Sequence, residues 1–255
     1  VHNSQDDRLS RVGAGWSATF NARAQRFSDG SVLIVRGDGS SYHFLPDGAG
    51  GFAVDANQGA RLVDAGGGRL ELRVDDASTW VFDASHPEGV GDLVEIRDGN
   101  GQVTTFTYAP LSGDPLFRSL TGITLPGNQS ITVASNAEGL VTGLTAPDGR
   151  SWTLTYDGGR HLVGLVFPDG ASKSFAYDAA GRITAAVDAT GTTYLTNSYD
   201  DAGRVTSQGD AAGQVRSLSY SAGIGTAGTS TYTDAAGQVW TYSFDERSRV
   251  TGFTN

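Results

Sequence analysis

The chain has 255 residues, with 36 Gly, 7 Pro, no Cys and no Met, and its 18 basic and 28 acidic residues give a net charge of −10. The lack of Cys excludes disulfides, thiolate metal sites and cysteine nucleophiles. A diffuse negative charge repels phosphate backbones, so we expect no nucleic-acid partner. The sequence has no apolar stretch long enough to span a membrane.

The sequence pattern of the first 67 residues predicts strands and turns. The chain begins with Val, and its opening stretch VHNSQDDRLSRVGAGW has neither the apolar run nor the small-residue cleavage site of a signal peptide. This start indicates a processed chain or an interior piece of a longer one. Further on, RFSDGSVLIVRGDGSSYHF alternates strand and turn residues. We expect residues 1–67 to form an amino-terminal β segment that caps or continues the sheet that follows.

Residues 68–255 carry an internal repeat of about 22 residues. Aromatic-Asp pairs recur at Tyr156-Asp157, Tyr177-Asp178 and Tyr199-Asp200, at intervals of 21 and 22 residues. An independent mark with nearly the same period is the glycine that ends PDG, ATG or AAG, which recurs at Gly149, Gly170, Gly191, Gly213 and Gly237. Two marks with one period indicate a true repeat. The last copy stops within SRVTGFTN, so we expect the repeats to be truncated mid-unit.

Each repeat is predicted to fold as a two-stranded hairpin. Two turn signals lie about half a period apart, as in Asp178–Gly181 and Asp188–Gly191. Asp caps its own turn, and Gly supplies the positive φ that closes a type I turn with a G1 bulge. The strand that leads into each Tyr alternates apolar and polar residues, as in Trp152, Leu154 and Tyr156, which places these three on one face.

The strand after each Gly-Arg has a different pattern. Its apolar residues are three positions apart, as in Ile183 and Ala186 or in Val250 and Phe253. This spacing breaks strict alternation, and the run is too short and too rich in Thr and Gly for a helix, which predicts a β-bulge. Stacked hairpins bury each other's aromatic face and align their Tyr residues as a ladder. The predicted fold is therefore all-β, with tandem antiparallel hairpins in a curved or spiralling sheet.

The segments YDAAGRITAAVDATG and YDDAGRVTSQGDAAG resemble the YD repeats of the Rhs (rearrangement hotspot) family, which also occur in insecticidal Tc-toxin components and teneurins. The pattern loosens in YDGGRHLVGLVFPDG and decays in SAGIGTAGTSTYT. The amino-terminal part is similar to the segment that precedes such repeats in bacterial polymorphic toxins. The signature residues that carry the resemblance are Tyr156, Asp157, Tyr177, Asp178, Gly181, Arg182, Tyr199, Asp200, Gly203 and Arg204.

The resemblance implies a structural role. In that family, long runs of hairpins spiral into a hollow β shell that encloses a carboxy-terminal toxic domain until delivery. It implies partners in the remainder of the same shell or in an enclosed toxin domain, and a secreted or cell-surface location. The sequence has no Asp-Pro-x-Gly, the motif at which some members cut themselves, and no toxin domain. We therefore expect a non-catalytic shell segment.

Candidate catalytic and metal-ligating residues are scattered. The four His residues show no metal-ligand spacing, and we expect each to lie at the surface or in a turn. The many Asp residues stand at turn positions, where capping explains them. We therefore predict no catalytic residue, no cofactor and no metal.

Two alternatives remain open at this point. The aromatic stripe more often belongs to a core, but it could also stack on sugars in a carbohydrate-binding or adhesion module. The open edge of a hairpin sheet could also pair with another copy, which would give self-association. The candidate stacking residues are Trp152, Tyr156, Trp240 and Tyr242.

Overall fold

The computed structural model describes residues 2–3, 10–53, 59–74, 77–86, 88–111, 114–223 and 225–255. Within them the protein has 21 strands and one short 3-10 turn at Thr19–Asn21, which confirms the predicted all-β class. Helices of a length and apolarity that would cross a membrane do not occur in these residues. The chain divides into two compact units, Val1–Tyr156 and Asp157–Asn255.

The first unit consists of antiparallel strand pairs around a buried core. Its described strands are β1 Arg23–Arg26, β2 Val32–Val35, β3 Ser41–Phe44, β4 Ala60–Gly66, β5 Arg69–Val74, β6 Ser78–Asp83, β7 Val90–Asp98, β8 Val103–Leu111, β9 Asp114–Leu125, β10 Gln129–Ser135, β11 Val141–Thr145 and β12 Ser151–Tyr156. The side chains that fill the core are fully buried and apolar, and they include Ile34, Phe44, Leu70, Leu72, Phe82, Leu93, Leu120 and Val141.

Strand β7 is the branch point of this unit. One edge of β7 pairs with β6, which continues the hairpins β4–β5 and β5–β6. The other edge is shared, because residues 90–92 pair with β1 of the β1–β2–β3 meander, whereas residues 95–97 pair with β8. From β8 the chain continues as consecutive hairpins to β12. The amino-terminal strands thus join the sheet in the middle of the unit.

The boundary predicted after residue 67 falls in the turn between β4 and β5. These two strands pair with each other over most of their length. The division into an amino-terminal segment 1–67 and repeats over 68–255 stays a prediction.

The second unit is a run of hairpins in which each strand pairs antiparallel with the next. Most of its apolar side chains are only half-buried, and Leu162, Ile183 and Ala186 are the apolar side chains among its described residues that are buried. Contacts between neighbouring hairpins therefore matter more here than a central core. Its described strands are β13 Leu162–Val166, β14 Ser172–Tyr177, β15 Ile183–Val187, β16 Thr193–Tyr199, β17 Val205–Asp210, β18 Val215–Tyr220, β19 Gly228–Thr233, β20 Val239–Phe244 and β21 Val250–Thr254.

The turns have the predicted geometry. In the turn that follows β14, the Gly181 N–H donates to the Asp178 carbonyl at 3.0 Å, and the Asp178 N–H donates to the Arg182 carbonyl at 3.0 Å. The Asp178 Oδ1 accepts from the N–H groups of Ala180 and Arg182, each at 3.0 Å. Gly181 has φ +76°, the left-handed conformation that the closing position needs. The same bonds recur in the turns that begin at Asp188 and Asp200.

The predicted bulge is also confirmed, and it lies at the Thr of the repeat. Tyr177 pairs with Ile183, but Ala176 pairs with Ala185, so Thr184 is the extra residue. Thr206 and Thr251 take the same place in β17 and β21, and so does Thr142 in β11. The bulge explains why apolar residues three apart, such as Ile183 and Ala186, are both buried.

Two turn glycines test the cost of a side chain at the closing position. Gly181 and Gly191 both have positive φ, at +76° and +82°, but a Cβ on Gly181 would lie 2.7 Å from the His161 Nε2, whereas a Cβ on Gly191 would meet no atom within 4 Å. We expect Gly191→Ala to destabilise by about 1–2 kcal/mol from backbone strain alone. Gly181→Ala should lower the unfolding free energy further, because the His161 imidazole must also move to make room for the Cβ. Urea unfolding of both variants measures the difference, and equal losses would show that His161 moves freely.

Candidate functional site

The repeat tyrosines hold neighbouring strands together through their hydroxyl groups. Each Tyr is the last residue of its strand, and its hydroxyl donates to the carbonyl of the first residue of the preceding strand. Tyr177 donates to Leu162 at 2.7 Å, Tyr199 to Ile183 at 2.7 Å, and the next copy uses a 2.9 Å bond. The first unit has the same bond from Tyr156, whose hydroxyl donates to the Val141 carbonyl at 2.6 Å.

The arginine of each Gly-Arg connects its own turn to the following hairpin. Arg182 donates from Nε and Nη2 to the Asp178 Oδ2, each at 2.7 Å. Its Nη1 donates to the Asp200 carbonyl at 3.2 Å, and its Cζ lies 4.6 Å from the centre of the Tyr199 ring. Charged hydrogen bonds, a cation–π contact and a backbone contact thus converge on one guanidinium group.

The contact recurs at successive repeats. Arg204 pairs with Asp200, lies 4.3 Å from the centre of the Tyr220 ring and donates to the Ala222 carbonyl. In the preceding repeat His161 replaces Arg and stacks on Tyr177, with ring centres 4.8 Å apart. We call each contact of this kind a rung and the series the tyrosine ladder. Its rungs are His161–Tyr177, Arg182–Tyr199 and Arg204–Tyr220.

The carboxylates of the ladder are held in the ionised form. Burial tends to raise the pKa of Asp178, but the N–H groups and the guanidinium that it accepts from outweigh this effect, so the pKa lies below its usual value. Hydrogen bonds from the Arg204 backbone and side chain lower the pKa of Asp200. A general acid at neutral pH needs a raised pKa, which these carboxylates do not have, and they serve as charged acceptors within the ladder.

The first unit contains a variant of this arrangement. The Tyr108 hydroxyl donates to the Leu93 carbonyl at 2.7 Å, in the pattern of the repeats. The residue before Leu93 is Asp92, at the place that Arg182 and Arg204 take in the repeats. The sign of the charge at this position is therefore reversed.

Arginines from elsewhere in the chain compensate this reversed charge. Arg11, whose side chain is 1% exposed, donates from Nη2 to the Asp92 Oδ1 at 2.6 Å, and its Cζ lies 4.7 Å from the centre of the Tyr108 ring. Arg118 donates from Nε to the Asp92 Oδ2 at 2.9 Å. The Arg11 Nε donates to the Arg118 carbonyl at 2.8 Å. The amino-terminal segment thus supplies the Arg that this position lacks.

The structure places the signature residues in two roles. Gly181 and Gly203 close turns, and the Tyr, Asp and Arg residues of the two clear repeats form the ladder. Tyr156 and Asp157 are the last residue of the first unit and the first residue of the second. Burial raises the pKa of the Tyr156 hydroxyl, which donates a hydrogen bond to the Val141 carbonyl.

The candidate sugar-stacking residues lie in different places. Trp152 lies on β12 of the first unit, on the same half-buried face as Tyr156. Trp240 and Tyr242 lie on β20 of the second unit, where their rings pack against Tyr232 and Phe253 at 5.5 and 5.2 Å between centres. Sugar stacking by these residues stays a prediction.

Four residues of these contacts were not predicted from the sequence: Arg11, Asp92, Arg118 and His161. Two of them could have been found by aligning the repeats, because Asp92 and His161 each precede the aliphatic residue that accepts the Tyr hydroxyl. Arg11 and Arg118 carry no such signal, since their partner Asp92 is 81 and 26 residues away.

The contribution of a rung to stability can be measured with two arginines, each of which forms the same kind of ion pair with its own Asp. Arg182 and Arg249 each donate to an Asp four residues earlier, but the Arg182 side chain is 21% exposed and stacked on Tyr199, whereas that of Arg249 is 68% exposed. We expect Arg182→Ala to lower the unfolding free energy of the second unit by about 1–2 kcal/mol. Arg249→Ala should have a much smaller effect, because an exposed ion pair contributes little. Equal losses in chemical denaturation would mean that the stacking contributes nothing.

The repeats match a known family. The family model described as RHS Repeat matches residues 136–172 and 159–193, the stretch in which the rung His161–Tyr177 and the turn at Asp178 lie. No curated protein matches the chain.

Solved structures of toxin complexes are similar over most of this chain. A mutant Tc holotoxin pore of Photorhabdus luminescens is 13% identical over 90% of this chain and 15% of its own, with a TM-score of 0.44. A TcdB2-TccC3 structure is 12% identical over 88% of this chain and 15% of its own, with a TM-score of 0.43. The chain therefore spans about 15% of the length of these structures.

Tandem antiparallel hairpins, closed by Asp-x-x-Gly turns and tied by contacts of Tyr with Arg or His of the preceding copy, define a β-hairpin repeat protein. Residues 136–193 of this repeat protein match the RHS Repeat model, so this part of the chain consists of repeats of the Rhs type.

Proposed function

We propose that this chain is a non-catalytic wall segment of a shell formed by Rhs/YD repeats, in a secreted or cell-surface protein of the toxin type. The observation that carries the proposal is the tyrosine ladder. Each rung stacks an Arg or His of one hairpin on the Tyr ring of the next, and the two Arg rungs also donate to a backbone carbonyl there, so the sheet can be extended by adding copies. Its partners would be the remainder of the same shell or an enclosed toxin domain.

The chemistry of the ladder supports a wall rather than an active site. Its Asp groups are paired with Arg or His, and their pKa values are lowered, so they remain charged acceptors at neutral pH. Its Tyr hydroxyls donate to backbone carbonyls. Side chains committed in this way hold strands together, whereas a catalytic group has to be available to a substrate.

The test is to isolate the protein from its natural source, read its intact mass and terminal residues, and image it. We expect a mass well above the 26.5 kDa of this chain, with the repeats forming a wall around a separate domain. That domain should resist protease until the wall is opened. A product in which the repeats enclose no volume, or in which the separate domain is cut as fast as a free one, would overturn the proposal.

Self-association is a second candidate, supported by the surface of β21. Among the described residues β21 pairs with β20 alone, and Val250 and Phe253 are 60% and 56% exposed. An unpaired edge with apolar side chains invites another strand. If copies of the chain pair there, light scattering should show a concentration-dependent dimer that Val250→Lys disrupts. A monomer at all concentrations would reject this candidate.

A further inference from the structure

Arg249 is held by its own turn in the same way as the arginines of the tyrosine ladder. Its Nε and Nη2 donate to the Asp245 Oδ2 at 2.8 and 2.7 Å, and its N–H donates to the Asp245 Oδ1 at 3.0 Å. The corresponding distances from Arg182 to Asp178 are 2.7, 2.7 and 3.0 Å. The Arg249 guanidinium therefore has the position of a ladder arginine, with its Asp in place.

The surface around Arg249 is exposed where its counterparts in the ladder are covered. The Arg249 side chain is 68% exposed, against 21% for both Arg182 and Arg204. Val250 is 60% exposed, whereas Ile183, at the same place in its repeat, is 7% exposed. A Tyr ring from the following hairpin covers each ladder guanidinium, but among the described residues no ring stacks on Arg249. This position thus has every part of a rung except the aromatic residue.

The ladder also shows the register in which a strand brings its Tyr to an Arg. Thr196, three residues before Tyr199, pairs with Ala185, the third residue of β15. The pairs β11–β12, β13–β14 and β17–β18 have the same offset between the Tyr and the third residue of the preceding strand. The third residue of β21 is Gly252. A strand added in this register would place an aromatic residue, three positions after the one opposite Gly252, over the Arg249 guanidinium.

The edge of β21 is available to such a strand, but the Tyr-ended strands of the second unit are not available to supply it. Among the described strands β21 pairs with β20 alone. Strands β14, β16 and β18, which end in Tyr, each pair with a neighbour on both edges. A folded second copy of this chain therefore cannot offer any of these three strands to β21.

We propose that Arg249 and the edge of β21 bind an extended segment of a different polypeptide that ends in Tyr-Asp. The segment pairs antiparallel with β21, as in the addition of a strand to a sheet edge. Its Tyr ring stacks on the Arg249 guanidinium, and its Tyr hydroxyl donates to the Val250 carbonyl. The Arg249 Nη1 donates to the carbonyl of its Asp. Tyr199 and the residue after it make these contacts with β15 and Arg182. The inference does not depend on the shell function.

The test uses the whole chain and an acetylated, amidated peptide with the sequence of residues 193–200, TYLTNSYD. In a matched peptide Leu replaces the Tyr that corresponds to Tyr199. We expect the Tyr peptide to shift the NMR amide signals of Val250, Gly252 and Phe253, and the Leu peptide to bind at least tenfold more weakly, because it has neither the ring nor the hydroxyl. Equal affinity for the two peptides, or no shift at millimolar concentration, would overturn the proposal.

Two arginines of one turn provide matched variants of the protein. Arg249→Ala removes the guanidinium that stacks on the Tyr and should weaken binding of the Tyr peptide at least tenfold. Arg247→Ala removes the same charge from an exposed position two residues away, so it should leave the affinity unchanged within twofold. Equal losses in the two variants would show that the peptide responds only to the net charge of the turn, which would overturn the proposal.

A second copy of the chain is the competing occupant of this edge, and light scattering separates it from the proposed partner. We expect the chain at the concentration of the NMR experiment to be a monomer, or a dimer that the Tyr peptide dissociates. A dimer that persists when the peptide is present at millimolar concentration, and that Val250→Lys disrupts, would show that a second copy occupies β21 and would overturn the proposal.

Discussion

Replacing Asp92 with Asn should destabilise the first unit by about 3–5 kcal/mol, the range for breaking a buried ion pair from one side. The Asp92 side chain is 5% exposed and accepts from Arg11 at 2.6 Å and from Arg118 at 2.9 Å, while Arg23 lies 3.7 Å away. The amide would leave Arg11 and Arg23 without the charge of Asp92, while Arg118 would keep only Asp83, at 3.3 Å. Urea unfolding, followed by a probe in the first unit, measures the loss.

Asp64→Asn is the matched control for this prediction. Asp64 pairs with Arg26 at 2.8 Å, but both side chains are 34% exposed. An ion pair accessible to water contributes at most about 1 kcal/mol. If the two Asn variants lose the same stability, burial does not strengthen the Asp92 cluster and the prediction is wrong.

Asp92→Asn should also change how the stability of the first unit responds to acid. Burial tends to raise the pKa of Asp92, but the charges and hydrogen bonds of Arg11 and Arg118, with Arg23, outweigh it and hold the pKa below its usual value. A depressed pKa gives stability that is fully present above the unfolded value of about 3.9 and is lost as the pH falls through the folded value. Asp92→Asn should therefore lose less stability than the parent below about pH 4.

Tyr199→Ala should cost the second unit about 3 kcal/mol, because the ring lies between strands and under the Arg182 guanidinium at 4.6 Å. Tyr199→Phe should cost about 1 kcal/mol, because it removes the hydroxyl that donates to the Ile183 carbonyl at 2.7 Å and accepts from the Asn197 Nδ2 at 3.4 Å. Hydrogen exchange of the amides of β15 and β16 measures both losses locally. This comparison separates the stacked ring from its hydroxyl.

Tyr194 on the same strand provides the control. Its ring faces the Lys173 ammonium at 5.4 Å, outside the ladder. Tyr194→Phe should change the stability by no more than about 0.5 kcal/mol. If Tyr194→Phe and Tyr199→Phe have equal effects, the ladder hydroxyl contributes nothing of its own.

The hairpins were predictable because their signals are local. Asp178 and Gly181 lie in one turn, and the side-chain oxygen and the positive φ that close it are properties of those two residues. The bulge was predictable for the same reason. Ile183 and Ala186 are three positions apart instead of two, which indicates one extra residue between them. Alternation placed Trp152 and Tyr156 on one face, as the exposure pattern of β12 shows.

The branch at β7 was not predictable from these signals. The pairing of Arg23 with Asp92 joins residues far apart in the sequence, and neither stretch carries the repeat phrase. The stacking of Arg182 on Tyr199 was also missed, because it depends on the register between two hairpins rather than on either hairpin alone. Composition and periodicity define one hairpin, whereas the contacts between hairpins need coordinates.

The sequence separation of the contacts bears on the order in which the protein can assemble as it is synthesised. The ladder hydroxyls reach back only 15 or 16 residues, as from Tyr177 to Leu162 and from Tyr199 to Ile183. Each repeat can therefore close soon after it emerges from a ribosome, before later repeats exist. Arg11 must wait for partners 81 and 107 residues downstream. Arg11 is thus fixed in place only after the hairpins between it and Arg118 have been made.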